Sequence, residues 1–237
     1  GQMDGKKDDS TNTKSRFWHH VPVLKSNNAW TTELSIHSMD KPLWVYANVT
    51  YKLEKSITGA GYYYGVYTTE KFTLSSLMQV FTPRVLKEAK VVARMKQNLV
   101  IEDFKDDWKK EWFSYNKSKW GIRTHKIYDS VWAAPKGANL YFEVKAEMPN
   151  KMIVGLDSYV TEVSLTGNNS WQGIKLSVSD FKNIEMKSKN TWSEFRELRL
   201  DNVEQQRPPK GSRVSPRTLG APWKGAAPEF RYLRWLM

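Results

Sequence analysis

Leu140-Tyr-Phe-Glu-Val-Lys-Ala146 alternates apolar and polar side chains without a break. Successive strand residues point to opposite faces, so Leu140, Phe142, Val144 and Ala146 share one face and Tyr141, Glu143 and Lys145 the other. That is the signature of a half-buried strand. Met148-Pro-Asn-Lys151 breaks the pattern and Met152-Ile-Val-Gly-Leu156 restarts it. Tyr159, Thr161, Val163 and Leu165 then fall on a common side. Gly167-Asn-Asn-Ser170 is read as a turn, because Gly and Asn tolerate the positive φ of a tight reversal. Beyond it, Trp171 to Val178 is a strand with Ile174, Leu176 and Val178 inward. Short strands joined by turn residues and not by helices predict antiparallel sheets packed face to face, a β-sandwich within an all-β chain.

Outward from this stretch, Leu99 to Phe104 reads as the strand that opens a second domain, and Phe230-Arg-Tyr-Leu-Arg-Trp-Leu236 as the closing strand with Leu233 and Trp235 in the core. Between Trp192 and Leu200, an extended chain puts Arg196, Leu198 and Leu200 on one side and Phe195, Glu197 and Arg199 on the other. With charge on both faces, full burial is not expected there. Asp201 to Pro228 has no periodicity, carries five prolines and five Lys or Arg residues, and reads as a long basic loop of the functional or mobile kind. Toward the N-terminus, Ala29 to Ile36 and Leu43 to Tyr51 read as a hairpin with an aromatic side, and Phe72 to Phe81 as a further strand. Two or three such strands are marginal alone. The expected division is therefore 1–97, a small N-terminal β unit with a polar lead-in, and 98–237, the sandwich. Val85 to Lys96 serves as the linker, and Tyr62, Tyr63 and Tyr64 are read as capping the domain interface. The polar start reads as a trimmed end or interdomain linker, with no signal peptide visible.

The chain has 237 residues, enough for a real core, and no apolar run near the roughly 20 residues that span a bilayer. Zero cysteines excludes disulfides, thiolate metal sites and cysteine nucleophiles. The net charge of +12 raises nucleic-acid binding, but Lys and Arg are scattered and accompany no nucleic-acid motif, so a solvated basic surface is favoured, with anionic polymers as further partners.

The chemistry that can be weighed is narrow. No Gly-x-Ser-x-Gly elbow exists, and no alternating strands and helices to carry one. His19 and His20, adjacent on an extended segment, point to opposite faces and do not chelate; His37 and His125 complete the imidazoles. Glycosidases need two facing carboxylates, for which Glu102, Asp103, Asp106, Asp107, Asp157 and Glu162 are available without any spacing that pairs them. Aromatic side chains carry the binding reading: sugar rings stack on indoles while polar groups take their hydroxyls. Trp108, Trp112 and Trp120, in polar surroundings, and Trp223, in the basic loop, are the candidate ligand-binding residues. Core packing competes for each of them. Trp44, Trp171 and Trp235 sit within strand patterns and are read as core.

Val100-Ile-Glu-Asp-Phe104 with Trp108, then Leu140-Tyr-Phe-Glu-Val144, Trp171-Gln-Gly-Ile-Lys-Leu176 and Phe230-Arg-Tyr-Leu-Arg-Trp235 resemble carbohydrate-binding modules of the galactose-binding-like β-sandwich type over about residues 98–237. Ser15-Arg-Phe-Trp18 through Trp30-Thr-Thr-Glu-Leu34 and Leu43-Trp-Val-Tyr-Ala-Asn-Val49 resemble the β-rich region that follows the catalytic domain in some bacterial secreted α/β hydrolases of the acetyl xylan esterase or dienelactone hydrolase kind. The resemblance implies a jelly-roll-like sandwich and a non-catalytic part of a larger secreted or periplasmic hydrolase. It also implies a glycan or the parent's catalytic domain as partner, and a structural calcium in many relatives. Asp103, Asp106 and Glu229 are the calcium candidates it points to. A purely structural appendage and a glycoside hydrolase with paired carboxylates stand as the alternatives.

Overall fold

In the computed structural model, residues 17–61, 65–94, 98–115, 120–193 and 195–237 are described. They fall into two compact units, one of residues 21–94 and one of residues 17–20 with 98–237. Residues 17–20 belong to the second unit because Phe17 packs edge-on against Trp132 (4.9 Å between centroids) and His19 stacks on the same indole (5.4 Å). Tyr62, Tyr63 and Tyr64 lie outside the described residues.

The first unit is a set of two-stranded ribbons. β1 (Leu24–Ser26) pairs with β2 (Ala29–Thr31) around Asn27, whose φ of 52° makes the tight reversal. β3 (Leu43–Val45), β4 (Asn48–Gly61), β5 (Gly65–Ser75) and β6 (Gln79–Phe81) follow, with β3 on β6 and β4 on β5. The expected hairpin between Ala29–Ile36 and Leu43–Tyr51 is not formed. Ser76 Oγ accepts from Ala47 N–H and Ser76 N–H donates to Ala47 O, so β3 and β4 run on in one direction opposite β6 and β5, and the apolar run pairs with these later strands instead of with Ala29–Ile36. A one-and-a-half-turn helix, α1 (Pro83–Glu88), starts at Thr82, whose side chain accepts from Val85 N–H, and uses Pro83 in its first turn. Leu86 drops from it onto Ile36 and Leu43 to make a small core. Part of the expected linker is therefore helix.

The second unit holds the large core. β7 (Val100–Glu102), β8 (Ile122–Thr124), β9 (Asn139–Lys145), β10 (Asn150–Leu156), β11 (Tyr159–Leu165), β12 (Trp171–Leu176) and β13 (Leu198–Asp201) precede β14 (Val203–Gln206), β15 (Arg217–Gly220) and β16 (Glu229–Leu236). Two four-stranded antiparallel sheets result, in the orders β11-β10-β13-β8 and β12-β9-β16-β7. Leu140, Phe142 and Val144 of β9, Ile174 of β12 and Leu233 and Trp235 of β16 meet Met152, Val154 and Leu156 of β10 and Leu198 and Leu200 of β13 in one continuous core. The protein is all-β, and this unit has the face-to-face arrangement of a sandwich. The predicted turn is formed as read, with Gly167, Asn168 and Asn169 at φ of 78°, 68° and 56°.

Two expectations are corrected at the outer face of the β10 sheet. Asp201 to Pro228 is not one loop: β14 and β15 pair as a hairpin and lie on β10. Ile153, which points away from the central core, is thereby fully buried. Leu198, Arg199 and Leu200 are likewise all buried, Arg199 included. Gly155 makes this possible, since a Cβ there would come within 2.5 Å of Arg199 Nε. The guanidinium fills that space and is satisfied by Glu204 (Nη2 to Oε1, 3.1 Å) and by the carbonyl of Asp157. Trp171 is the third correction. With Ile174 and Leu176 inward, it points outward from β12 and is half-buried under Arg231, whose guanidinium carbon lies 4.2 Å from the ring centroid.

Candidate functional site

At one end of this unit, β7 leads into a turn pinned by a single carboxylate. Glu102 Oε1 accepts from the backbone N–H groups of Asp103 (3.0 Å) and Phe104 (3.1 Å). Glu102 Oε2 accepts from Trp112 Nε1–H (2.9 Å) and from the Lys126 ammonium (2.8 Å). Lys126 also donates to Ile101 O (3.0 Å) and pairs with Glu111, while the rings of Trp132 and Phe17 lie 5.2 and 5.7 Å from its nitrogen. Both members of the Glu102–Lys126 pair are about 95% buried. A buried charge this well supplied with partners fixes its neighbours, because removing any one of them leaves the others in a medium of low dielectric. Phe104 at φ 59° and Asp106 at φ 48° show that the turn after β7 is bent into the left-handed region, a conformation a phenylalanine holds only when its surroundings over-determine it.

The consequence is a shelf of rings. Trp108 stands edge-on to Trp112 (6.1 Å) and to Phe104 (5.1 Å). Phe104 in turn meets Phe230 at the start of β16 (5.5 Å), Phe230 meets Trp120 (5.9 Å), and Trp120 meets Trp223 (4.9 Å, near T-shaped). All four tryptophans singled out in the sequence thus belong to one aromatic chain. Their roles differ. Trp112 is buried and its indole N–H is spent on Glu102, so it is a wall and not a platform. Trp223 is half-buried, with its N–H given to Ala226 O (2.7 Å), and packs behind Trp120. Trp108 and Trp120, both partly exposed, line a cleft of about 630 Å³ together with Phe104, Phe113 and Phe230, and Lys109, Ser114 and Glu229 give it polar groups. Sequence reasoning did not single out Phe104 and Phe230 as site residues. Strict alternation from Leu233 and Trp235 puts Phe230 on the outward side of the last strand; the register shift between Arg231 and Arg234, with Tyr232 at φ 58°, turns it inward, and neither that shift nor the positive φ that brings Phe104 into the shelf leaves a mark in the sequence.

A second cleft, of about 740 Å³, shares Trp108 and Trp112 with the first and has Phe17, Glu102, Glu111 and His125 among its lining. Its three carboxylates are Glu102 and Glu111, both held by the Lys126 ammonium, and Asp107, which is paired with Lys110. The other acids weighed for hydrolysis are dispersed. Asp157 caps the approach to β13 by accepting from the N–H groups of Arg196 and Glu197, and its burial pushes its carboxyl up from the ordinary range. Glu162 is held below that range by Lys151 (2.6 Å) and also accepts from Gly220 N–H.

The three calcium candidates do not converge. Among the described residues, Asp103, Asp106 and Glu229 form no set whose carboxylate oxygens all lie within 4.8 Å of one another. Asp103 Oδ1 accepts from Lys105 N–H (3.1 Å), and Glu229 is paired with Lys145 (2.6 Å). Glu229 lies beside the aromatic shelf instead, as one of the polar groups of the cleft. No helix among the described residues is long and apolar enough to cross a membrane. Comparison with protein-family models, with curated proteins and with solved structures finds no match to this chain.

Proposed function

We propose that the second unit is a non-catalytic carbohydrate-binding module whose ligand lies in the cleft between Trp108 and Trp120. The observation that carries this reading is a cleft of ligand size, about 630 Å³, walled by six aromatic side chains and edged by an ammonium, a hydroxyl and a carboxylate. Sugars present alternating C–H faces and hydroxyl edges, so an indole or phenyl wall with Lys109, Ser114 and Glu229 beside it matches both surfaces. The rigid turn held by Glu102 keeps the wall in place before any ligand arrives, which lowers the ordering cost of binding. A glycan-binding part of a larger secreted hydrolase is consistent with the sequence resemblance and with the engagement of Glu102 and Glu111 by one lysine.

The purely structural reading has its own support in Trp112 and Trp223, whose indole N–H groups both serve internal bonds. Titration of the chain with neutral xylo-, gluco- and galacto-oligosaccharides separates the two, with heat and tryptophan fluorescence as readouts. Binding predicts saturable signals with at least one series, weakened roughly tenfold or more by Trp108→Ala or Trp120→Ala at unchanged fold. Silence toward every series, with the same variants lowering only thermal stability, selects the structural reading.

A further inference from the structure

The outer face of the β9 sheet is built differently from that of the β10 sheet. β14 and β15 lie on β10, while the outward side chains of β12, β9 and β16 are all at least partly exposed. Cross-strand register sets these side chains out as three rows. Trp171, Lys145 and Glu229 form one, Gly173, Glu143 and Arg231 the next, and Lys175, Tyr141 and Arg234 the third. The middle row is closed on itself. Arg231 Nε donates to Glu143 Oε2 (2.6 Å), Tyr141 O–H donates to Glu143 Oε1 (2.8 Å), and Gly173 makes room for that phenol, its Cβ position being 3.0 Å from the Tyr141 oxygen. The third row is open: among the described residues neither Lys175 nor Arg234 pairs with a carboxylate, and Arg234 rests over the Tyr141 ring, 5.4 Å from its centroid. Both are exposed.

We infer that this row is a binding site for an acidic polysaccharide, with Lys175 and Arg234 each taking a uronate carboxylate on either side of Tyr141. Two strand spacings separate the cations, about 10 Å, a distance of the order of a disaccharide. The planar guanidinium of Arg234, steadied by the ring beneath it, offers a carboxylate two parallel N–H bonds, and Lys175 offers a point charge to the next one. Nucleic acid suits the face less well. The Trp171 and Tyr141 rings already carry guanidinium groups, so bases have no free platform to stack on. Lys175, Tyr141 and Arg234 do not line the Trp108 cleft, so the test uses residues outside it.

Affinity electrophoresis of the full chain through gels containing polygalacturonate provides the test, with neutral hydroxyethyl cellulose, dextran sulfate and polyuridylate gels alongside. Expected are retardation by polygalacturonate that declines as salt is raised and an apparent affinity roughly tenfold weaker in Lys175→Gln/Arg234→Gln. Circular dichroism of the double variant should match that of the parent, since both side chains are on the surface. Parent-like migration of the double variant overturns the assignment. So does retardation by dextran sulfate or polyuridylate as strong as that by polygalacturonate, which would reduce the face to a surface that reads charge alone.

Discussion

Replacing Lys126 by methionine probes the device that shapes the aromatic shelf. The substitution keeps the apolar stem between Phe17 and Trp132 and deletes the ammonium, so Glu102 loses one of four bonds and keeps a full charge while about 94% buried. Breaking one side of a buried pair costs on the order of 3–5 kcal/mol, most of it the uncompensated charge left behind. At roughly 2–4 °C per kcal/mol for a unit of this size, the midpoint of thermal unfolding should fall by about 6–20 °C. Near-ultraviolet circular dichroism is the suitable assay, because Trp108, Trp112 and Trp132 all lie on or beside the network. The companion variant Lys126→Met/Glu102→Gln removes both charges and should recover a coupling energy of about 1–3 kcal/mol relative to the sum of the single effects. A midpoint within 2 °C of the parent for Lys126→Met, or strict additivity in the double variant, would refute the claim that this pair holds the turn.

Three further outcomes follow from particular contacts. Gly167→Ala should destabilise by at least about 2 kcal/mol in urea titration, since φ is +78° there and the new methyl would lie 2.5 Å from the Met148 carbonyl carbon. Ile153→Ala should cost roughly 2–5 kcal/mol, a core-like value for an outer-face residue, because the β14–β15 hairpin covers it; a loss below 1 kcal/mol would mean the hairpin does not seat on β10. Glu143 is held below the ordinary carboxylate range chiefly by its bond from Arg231, helped by Tyr141. A lowered folded pKa gives stability that is present above the unfolded pKa and lost as pH falls through the folded one, so unfolding midpoints of Glu143→Gln should be flatter than the parent's over the acid limb and should converge with it at the lowest pH.

How far the fold was legible depends on whether one face of a strand met water. β9 announces itself because Tyr141, Glu143 and Lys145 stay partly exposed while Leu140, Phe142 and Val144 are sealed. β10 does not show its environment, because Met152 to Leu156 are buried on both faces and an unbroken apolar run carries no phase. The cover over it is equally silent, since Val203 to Gln206 and Arg217 to Gly220 are short, polar and separated by a proline-rich stretch. Arg199 misled for a related reason: charge normally marks an exposed position, and only the absent side chain of Gly155 on the neighbouring strand makes room for it inside. At the cleft, residue type was informative and distance was not. Trp108, Trp120 and Trp223 could be chosen for their polar surroundings, but their assembly depends on the bend at Phe104 and on Phe230 arriving from more than a hundred residues away.

Calorimetric titration of the parent chain and of Trp108→Ala with neutral oligosaccharides, with polygalacturonate kept out of the cell, tests the central claim most directly. The cleft account predicts a one-site isotherm for the parent that weakens roughly tenfold or more in the variant while the unfolding midpoint stays within a few degrees. Flat isotherms for both proteins against every neutral series, or identical isotherms for the two, would contradict it.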